Sequence, residues 1–339
     1  MYNDPDAPLV SAVIPTRNRP LLVCRAVRSA LDQTFGAIEV VVVVDGPDPE
    51  TEKALNSIAD SRLRMIALPN NVGGGEARNV GVRAAKGKYI ALLDDDDEWL
   101  PAKIEKQLRS IVESRPTSTN ILVACKYFAR DNIAELILPV AIPHQEEDIS
   151  EYLFCSDTVF GTRTGFLQTS TWLITRSYLL EVPFTKGLKR NQDTDWILRA
   201  MKVVPHALLF VDEPLAIFHN ELSRPRIGTV TNAESGTWEY SYRWAADNRF
   251  LFTKRSLSYF LITICVGSAL GQGQFWVALR MVSRDIREHG TVNVKLIAIL
   301  MKYMCIWALP RSSFKRFLGR VLYLAATRHP GMKDRTGTH

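Results

Sequence analysis

Ile38-Glu39-Val40-Val41-Val42-Val43-Val44-Asp45-Gly46 is the stretch on which the fold turns. It is apolar and β-branched on both alternating faces apart from Glu39, so both sides of such a strand must be covered. That pattern belongs to an inner strand of a parallel sheet with helices above and below. Working outward, Leu9 to Pro15 (LVSAVIP) is a second short apolar run. Between the two, Pro20 to Thr34 sets Leu22, Ala26, Ala30 and Val23, Val27, Leu31 at helical spacing. Downstream the signals alternate: helix from Pro49 to Ala59, strand from Leu63 to Leu68, helix from Glu76 to Ala85, strand from Tyr89 to Leu93. A charged helix then starts with Pro101 in its first turn and runs to about Arg115, and Ile121 to Phe128 is a further strand. This alternation predicts a doubly wound, Rossmann-like α/β domain with its chemistry at the C-terminal ends of the strands.

Past Leu136 the pattern loosens as far as Arg190. A helix returns at Asp193 to Val203, followed by strand-like runs at Ala207 to Val211 and Leu215 to His219. From about Trp238 onward the signal is helical. The chain therefore divides into an α/β unit over residues 1–230 and a helical unit over residues 231–339. Of 339 residues, 46% are hydrophobic and 23% charged, which excludes collagen-like structure and long disorder. The net charge of +6 conceals a split: residues 1–242 carry −6 and residues 243–339 carry +12. An acidic body with a basic tail-third points to two jobs in one chain.

The five cysteines (Cys24, Cys125, Cys155, Cys265, Cys305) form no C-x-x-C pair, which argues against a zinc site or a disulfide framework and for a reducing, cytoplasmic setting. The opening MYNDPDAPLVSAVIP lacks a basic n-region, so no secretory signal is expected. The most apolar stretches, Tyr259 to Leu270 and Leu296 to Leu309, fall short of the ~20 residues that a bilayer core requires.

Polar motifs follow the strands as the fold expectation demands. Pro15-Thr16-Arg17-Asn18 follows the first, and Asp45-Gly46 the second. Asn70-Asn71-Val72-Gly73-Gly74-Gly75-Glu76-Ala77-Arg78-Asn79-Val80-Gly81 follows the third, and Asp94-Asp95-Asp96-Asp97-Glu98-Trp99 the fourth. Four adjacent carboxylates repel one another unless some protonate, splay apart or share a cation. A hard ion such as Mg²⁺ or Mn²⁺ takes one or two of them and completes its shell with phosphate oxygens. The plainer alternative is a solvated acidic turn ahead of the next helix. Gly73-Gly74-Gly75 suits close approach of backbone N–H groups to a diphosphate at a helix start. It is neither a Walker A loop nor G-x-G-x-x-G, since Arg78 stands where the last glycine belongs.

Together these motifs resemble family 2 glycosyltransferases of the GT-A fold. The matching stretches are V-I-P-T-R-N (Val13 to Asn18), V-V-D-G (Val43 to Gly46), N-x-G-x-x-x-A-R-N-x-G (Asn71 to Gly81) and G-K-Y-I-A-L-L-D-D-D-D-E-W (Gly87 to Trp99). The resemblance covers roughly residues 9–225. It implies that Pro15, Thr16 and Arg17 line a nucleoside pocket and that Asp45 contacts base or ribose. It further implies that Arg78 and Asn79 hold the donor near its ribose and diphosphate. Asp94 and Asp96 become the D-x-D acids, with Asp96 the direct metal ligand, Asp95 at the variable position facing the nucleotide-sugar and Asp97 as third acid. Mn²⁺ or Mg²⁺ is the implied cofactor.

A second constellation, Arg190-Asn191-Gln192-Asp193-Thr194-Asp195-Trp196, resembles the family's acceptor-side motif, with Asp193 as general base and Asp195 as the competing choice. Trp196 reads as core. His219, with Arg224 and Arg226 beyond it, is placed where a late side chain reaches back to the metal or diphosphate in such folds. The implied reaction moves a sugar, with inversion, from a nucleoside-diphosphate sugar (UDP-linked first) to a hydroxyl of a glycan or lipid-linked acceptor in cell-surface polysaccharide synthesis. Residues 314–328 form a basic amphipathic segment suited either to an anionic membrane at the cytoplasmic face or to packing on protein, including a second copy. No nucleic-acid module is present. A sugar nucleotidyltransferase and a non-catalytic GT-A-like binding subunit are the competing functions.

Overall fold

The computed structural model describes residues 8–130, 135–144, 147–155, 165–219 and 238–289. The chain separates into two compact units: residues 1–149 with 165–230, and residues 150–164 with 231–339. The second therefore takes a short segment from within the first 230 residues as well as the C-terminal part.

In the first unit the strands are β1 (Val10–Thr16), β2 (Ile38–Val44), β3 (Leu63–Ala67), β4 (Tyr89–Leu92), β5 (Glu98–Trp99), β6 (Ile121–Arg130), β7 (Glu135–Leu138), β8 (Leu173–Thr175) and β9 (Ala207–His219). They form one mixed sheet in the order β3-β2-β1-β4-β8-β6-β9-β5, with β7 beside β6. The pairings β3–β2, β2–β1 and β1–β4 are parallel; β8 runs antiparallel to both β4 and β6. Helices α1 (Pro20–Leu31), α2 (Pro49–Asn56), α3 (Gly74–Ala84) and α4 (Lys103–Ser114) connect the early strands. Helices α6 (Arg176–Glu181) and α7 (Gln192–Val203) follow in this unit, whereas the short α5 (Ile149–Phe154) ahead of them falls in the second unit from Ser150 on.

Every residue of β2 is buried, as its unbroken apolar run requires. Val40, Val42 and Val44 enter a large core with Ala12, Ile14 and the α1 residues Val23 and Val27. Val41 and Val43 face the other way, onto Ala77 of α3. Alternate burial on two faces is what sandwiches the sheet between helices. Gly81 lets α3 lie close to β1, because a Cβ there would meet Val13 Cγ1 at 2.4 Å.

Three boundaries differ from the sequence expectation. Helix α4 starts at Lys103 rather than at Pro101, because Glu98–Trp99 pairs with β9 and Leu100 N donates to Leu215 O, holding that stretch extended. The two late strand-like runs are one long strand, β9, with an irregularity against β6 near Cys125 and Lys126. Strand β8 lies in the stretch that reads as loose, since three residues are too few to show a period.

The described part of the second unit is helical: α8 (Trp238–Asp247), α9 (Lys254–Phe260), α10 (Gly267–Gly271) and α11 (Phe275–His289), with a π-helical turn between α9 and α10. Phe154, Trp244, Phe252 and Phe260 form an aromatic cluster within it. Residues 314–328, with Asn220, Arg224 and Arg226, lie outside the described residues.

Candidate active site

Strand order places the site. From β1 the chain winds through β2 to β3 on one side and then returns to β4 on the other, so the ends of β1 and β4 flank the crevice where the winding reverses. The end of β1 supplies Thr16 and, after a left-handed turn at Asn18 (φ 53°), Arg19. The end of β4 supplies the acidic run.

The fold sorts the four acids into two kinds. Asp95 and Asp97 turn inward, 2% and 1% exposed, whereas the Asp94 and Asp96 side chains keep 25% and 29% of their surface. Asp95 accepts from Thr16 Oγ1 (2.8 Å) and Arg19 Nη1 (2.9 Å). Asp97 accepts from Gln168 Nε2 (2.5 Å) and Ser170 Oγ (2.6 Å). Ser170 Oγ also accepts from the Asp94 N–H (3.0 Å), and Ser170 O accepts from Trp99 Nε1 (2.7 Å), so the turn before β8 is a shelf for the whole run. Asp94 accepts from Arg78 Nη2, Asp96 from the same Arg19 Nη1 (2.9 Å), and the Asp96 carbonyl from Arg25 Nη2 (2.6 Å). Burial pushes the Asp95 carboxyl up to about 7, Arg19 opposing and Asp96 and Asp94 adding to it. Burial raises Asp97 well above the carboxylate range, with Asp94 and Asp96 contributing. Some acids of a crowded run take up protons so that others stay ionised.

Arg78, on α3, joins the acidic run after β4 to the start of α7. Its guanidinium holds Asp94 and donates to Gln192 Oε1 (3.1 Å), and it lies 5.5 Å from the centroid of the Phe184 ring. Asn79 differs from expectation: its amide donates to Phe184 O (2.9 Å) and Glu76 (3.0 Å) and accepts from Phe184 N (2.9 Å). It is a buried clamp on the chain at Phe184 rather than a free donor contact. Asp45 is likewise committed to the protein, its two oxygens accepting from Val72 N (2.7 Å) and Gly73 N (3.0 Å). It closes the glycine loop onto β2, at the start of α3 where Gly73 takes a φ of 86°. Thr16 holds Asp95 instead of facing outward, Pro15 is buried within β1, and Arg17 alone of that trio is exposed.

At the start of α7, Asn191 adopts a left-handed conformation (φ 59°) and presents Gln192 and Asp193 beside Arg78. Asp193 Oδ1 is inaccessible and has no hydrogen-bond partner among the described residues. Burial raises the Asp193 carboxyl, opposed by the Arg78 cation and the nearby Thr169 hydroxyl and reinforced by Asp94. Asp195 is 2% exposed and accepts from Thr185 (2.6 Å) and Arg199 (2.9 Å), which makes it a brace of the helix start. Trp196 is fully buried against Trp172, Tyr178 and Phe184.

His219 does not join Asp94 and Asp96. Its Nε2 meets Glu98 Oε1 (2.6 Å), and its N–H approaches Asp97 at 3.4 Å. Burial lowers the imidazole pKa against the pull of Glu98. The pairing of β5 with β9 sets Glu98 opposite Ile217 and so intercepts the imidazole. Sequence reasoning missed Arg19, Arg25 and the Gln168–Ser170 shelf. Arg19 had a visible signal, a second basic residue two places after Arg17, whereas Ser170 had none.

A mixed sheet reversing beside β1, with an acidic run at the end of β4 and a second acid leading a later helix, is the GT-A arrangement. Two solved structures share the fold. One is Staphylococcus aureus TarS 1-349 in complex with UDP-GlcNAc (TM-score 0.52, 17% identity, 94% of this chain and 88% of that one). The other is the mannosyltransferase PcManGT from Pyrobaculum calidifontis in complex with GDP-Man and Mn²⁺ (TM-score 0.52, 15% identity, 95% and 86%). The chain is a glycosyltransferase, and its residues 11–166 match the model of glycosyl transferase family 2. A relative, the amylovoran biosynthesis glycosyltransferase AmsB of Erwinia amylovora, is 27% identical over 255 residues, covering 73% of this chain and 80% of AmsB.

Proposed function

We propose that this enzyme transfers a sugar from a nucleoside-diphosphate sugar to an acceptor hydroxyl with inversion, in the synthesis of a cell-surface polysaccharide. The observation that carries the reading is the placement of Asp193 at the start of α7 beside Arg78, the arginine that also holds Asp94. Asp193 takes the proton of the acceptor hydroxyl, and its raised pKa strengthens it as a base. Arg78 ties the base to the donor side and places positive charge where the diphosphate leaves. Attack from the Asp193 side opposite the leaving group inverts the anomeric carbon in one displacement, with no side-chain nucleophile.

The residues fit a divalent cation. Asp94 and Asp96 are the two acids of the run that stay accessible, and their oxygen donors suit Mg²⁺ or Mn²⁺. Such an ion would be held by the Asp94 and Asp96 carboxylates, since among the described residues no group of three or more His, Cys, Asp or Glu side chains is placed to hold one. Bound there it supplies Lewis-acid stabilisation of the leaving group. UDP is the donor nucleotide we favour. The acceptor is a glycan or lipid-linked hydroxyl, in keeping with the relative named for amylovoran biosynthesis. Among the described residues no helix is long and apolar enough to cross a membrane. The +12 of residues 243–339 suits peripheral contact with anionic lipid at the cytoplasmic face.

Screening UDP-, GDP- and dTDP-sugars by thermal shift with Mn²⁺ identifies the donor, since ligand binding stabilises the folded state by mass action. With that donor, Asp193→Asn is expected to keep the shift and lose roughly 10³-fold or more in turnover. Near wild-type turnover refutes the base. Flotation of the full chain with phosphatidylglycerol vesicles, absent with phosphatidylcholine and lost at high salt, tests the membrane contact; equal flotation with both refutes it.

A further inference from the structure

Arg19 breaks two local preferences at once. It occupies the N-cap of α1, where Ser, Thr, Asp or Asn is favoured, and its side chain makes no capping bond. It also puts a cation at the positive end of a helix. Local rules broken together at one residue mark a position chosen for something else. Here the side chain is 12% exposed and a single nitrogen, Nη1, stands 2.9 Å from both Asp95 Oδ1 and Asp96 Oδ2. Pro20, at the first helical position, and the bond from Val23 N to Arg19 O (3.1 Å) fix the backbone from which it reaches back. One positively charged group bridging two adjacent carboxylates does what a bound cation does.

We propose that Arg19 is the resident counter-cation of this site. It balances Asp95 and Asp96 when no divalent ion is bound and releases Asp96 when one arrives, so it sets the affinity of the site for metal. This rests on the reading of Asp96 as a cation ligand. Asp95 stays with Thr16 throughout, which keeps the run in place during the exchange. Arg25, on the Asp96 carbonyl and 3.3 Å from Glu98, holds the backbone and is not part of the exchange.

The test is Mn²⁺ binding to the full chain without nucleotide, followed by the electron paramagnetic resonance signal of free Mn²⁺, with thermal midpoints in EDTA and at saturating Mn²⁺. Arg19→Gln is expected to bind Mn²⁺ roughly tenfold tighter than wild type, because the ion no longer competes with a cation. Its midpoint is expected to fall in EDTA and to recover with Mn²⁺. Arg19→Lys keeps the charge on a flexible stem and should lie between the two; it carries the test should Arg19→Gln not fold. Binding abolished by Asp96→Asn but unchanged or weakened in the Arg19 variants overturns the role of Arg19 alone. Wild-type binding that is absent or survives Asp96→Asn overturns the reading of Asp96, and the role of Arg19 with it.

Discussion

Lys103 offers a quantitative check on the interior of the first unit. It begins α4 fully buried, with Nζ donating to Gln107 Oε1 (2.7 Å) and lying 4.3 Å from the centroid of the Trp99 ring. Among the described residues no carboxylate pairs with it. Burial lowers its pKa from 10.5 to about 8, only weakly opposed by Cys125. A folded-state pKa below the unfolded one means that the unfolded chain binds the extra proton. The cost is therefore complete below about pH 8, shrinks as pH rises and is gone above the unfolded pKa. Its size at neutral pH is about 3 kcal/mol. Lys103→Met removes it but forfeits the Gln107 hydrogen bond and leaves Gln107 Oε1 buried without a donor, about 1 kcal/mol each. The variant should then be about 1 kcal/mol more stable than wild type near neutral pH and less stable near about pH 10. Those losses cancel from the change with pH, so the stability difference should move by about 2–3 kcal/mol across that window. Urea unfolding followed by circular dichroism at several pH values measures it. A difference that stays constant to within about 0.5 kcal/mol would show that Lys103 keeps an ordinary pKa and refute the reasoning.

Asp195→Asn should lower stability by about 1–3 kcal/mol, through its bonds to Thr185 and Arg199, while leaving turnover within a few-fold. Asp193→Asn should do the reverse, and melting curves beside nucleotide-release assays would expose an inverted ranking. Asn79→Ala strands the N–H and C=O of Phe184 and should cost about 2–4 kcal/mol in denaturant unfolding; a loss under about 0.5 kcal/mol would dismiss the clamp. Gly81→Ala should destabilise by about 1–3 kcal/mol, since its Cβ would stand 2.4 Å from Val13 Cγ1. Val13→Ala in the same chain should recover part of that loss.

The elements that were legible in the sequence are those whose signal is local. The valine run of β2 needs cover on both faces whatever surrounds it, and it has that cover. The helical spacings of α1 and α7 and the turn residues after β1, β2 and β4 repeat within a few positions. From these follow the α/β architecture, the edge of the sheet where the polar motifs gather and the family resemblance. What the tertiary structure decided is the work of each polar side chain. Nothing among four identical aspartates tells which two turn inward. Thr16, Gln168 and Ser170, each more than 70 positions from its aspartate, select Asp95 and Asp97 for burial and leave Asp94 and Asp96 accessible. By the same route Asp195 is drawn to Thr185 and Arg199, and His219 to Glu98, while Asp193 keeps an unpartnered oxygen. Periodicity is a property of neighbours along the chain. Hydrogen-bond saturation is a property of neighbours in space, and at this site it separates the acids that brace from the acids free to act.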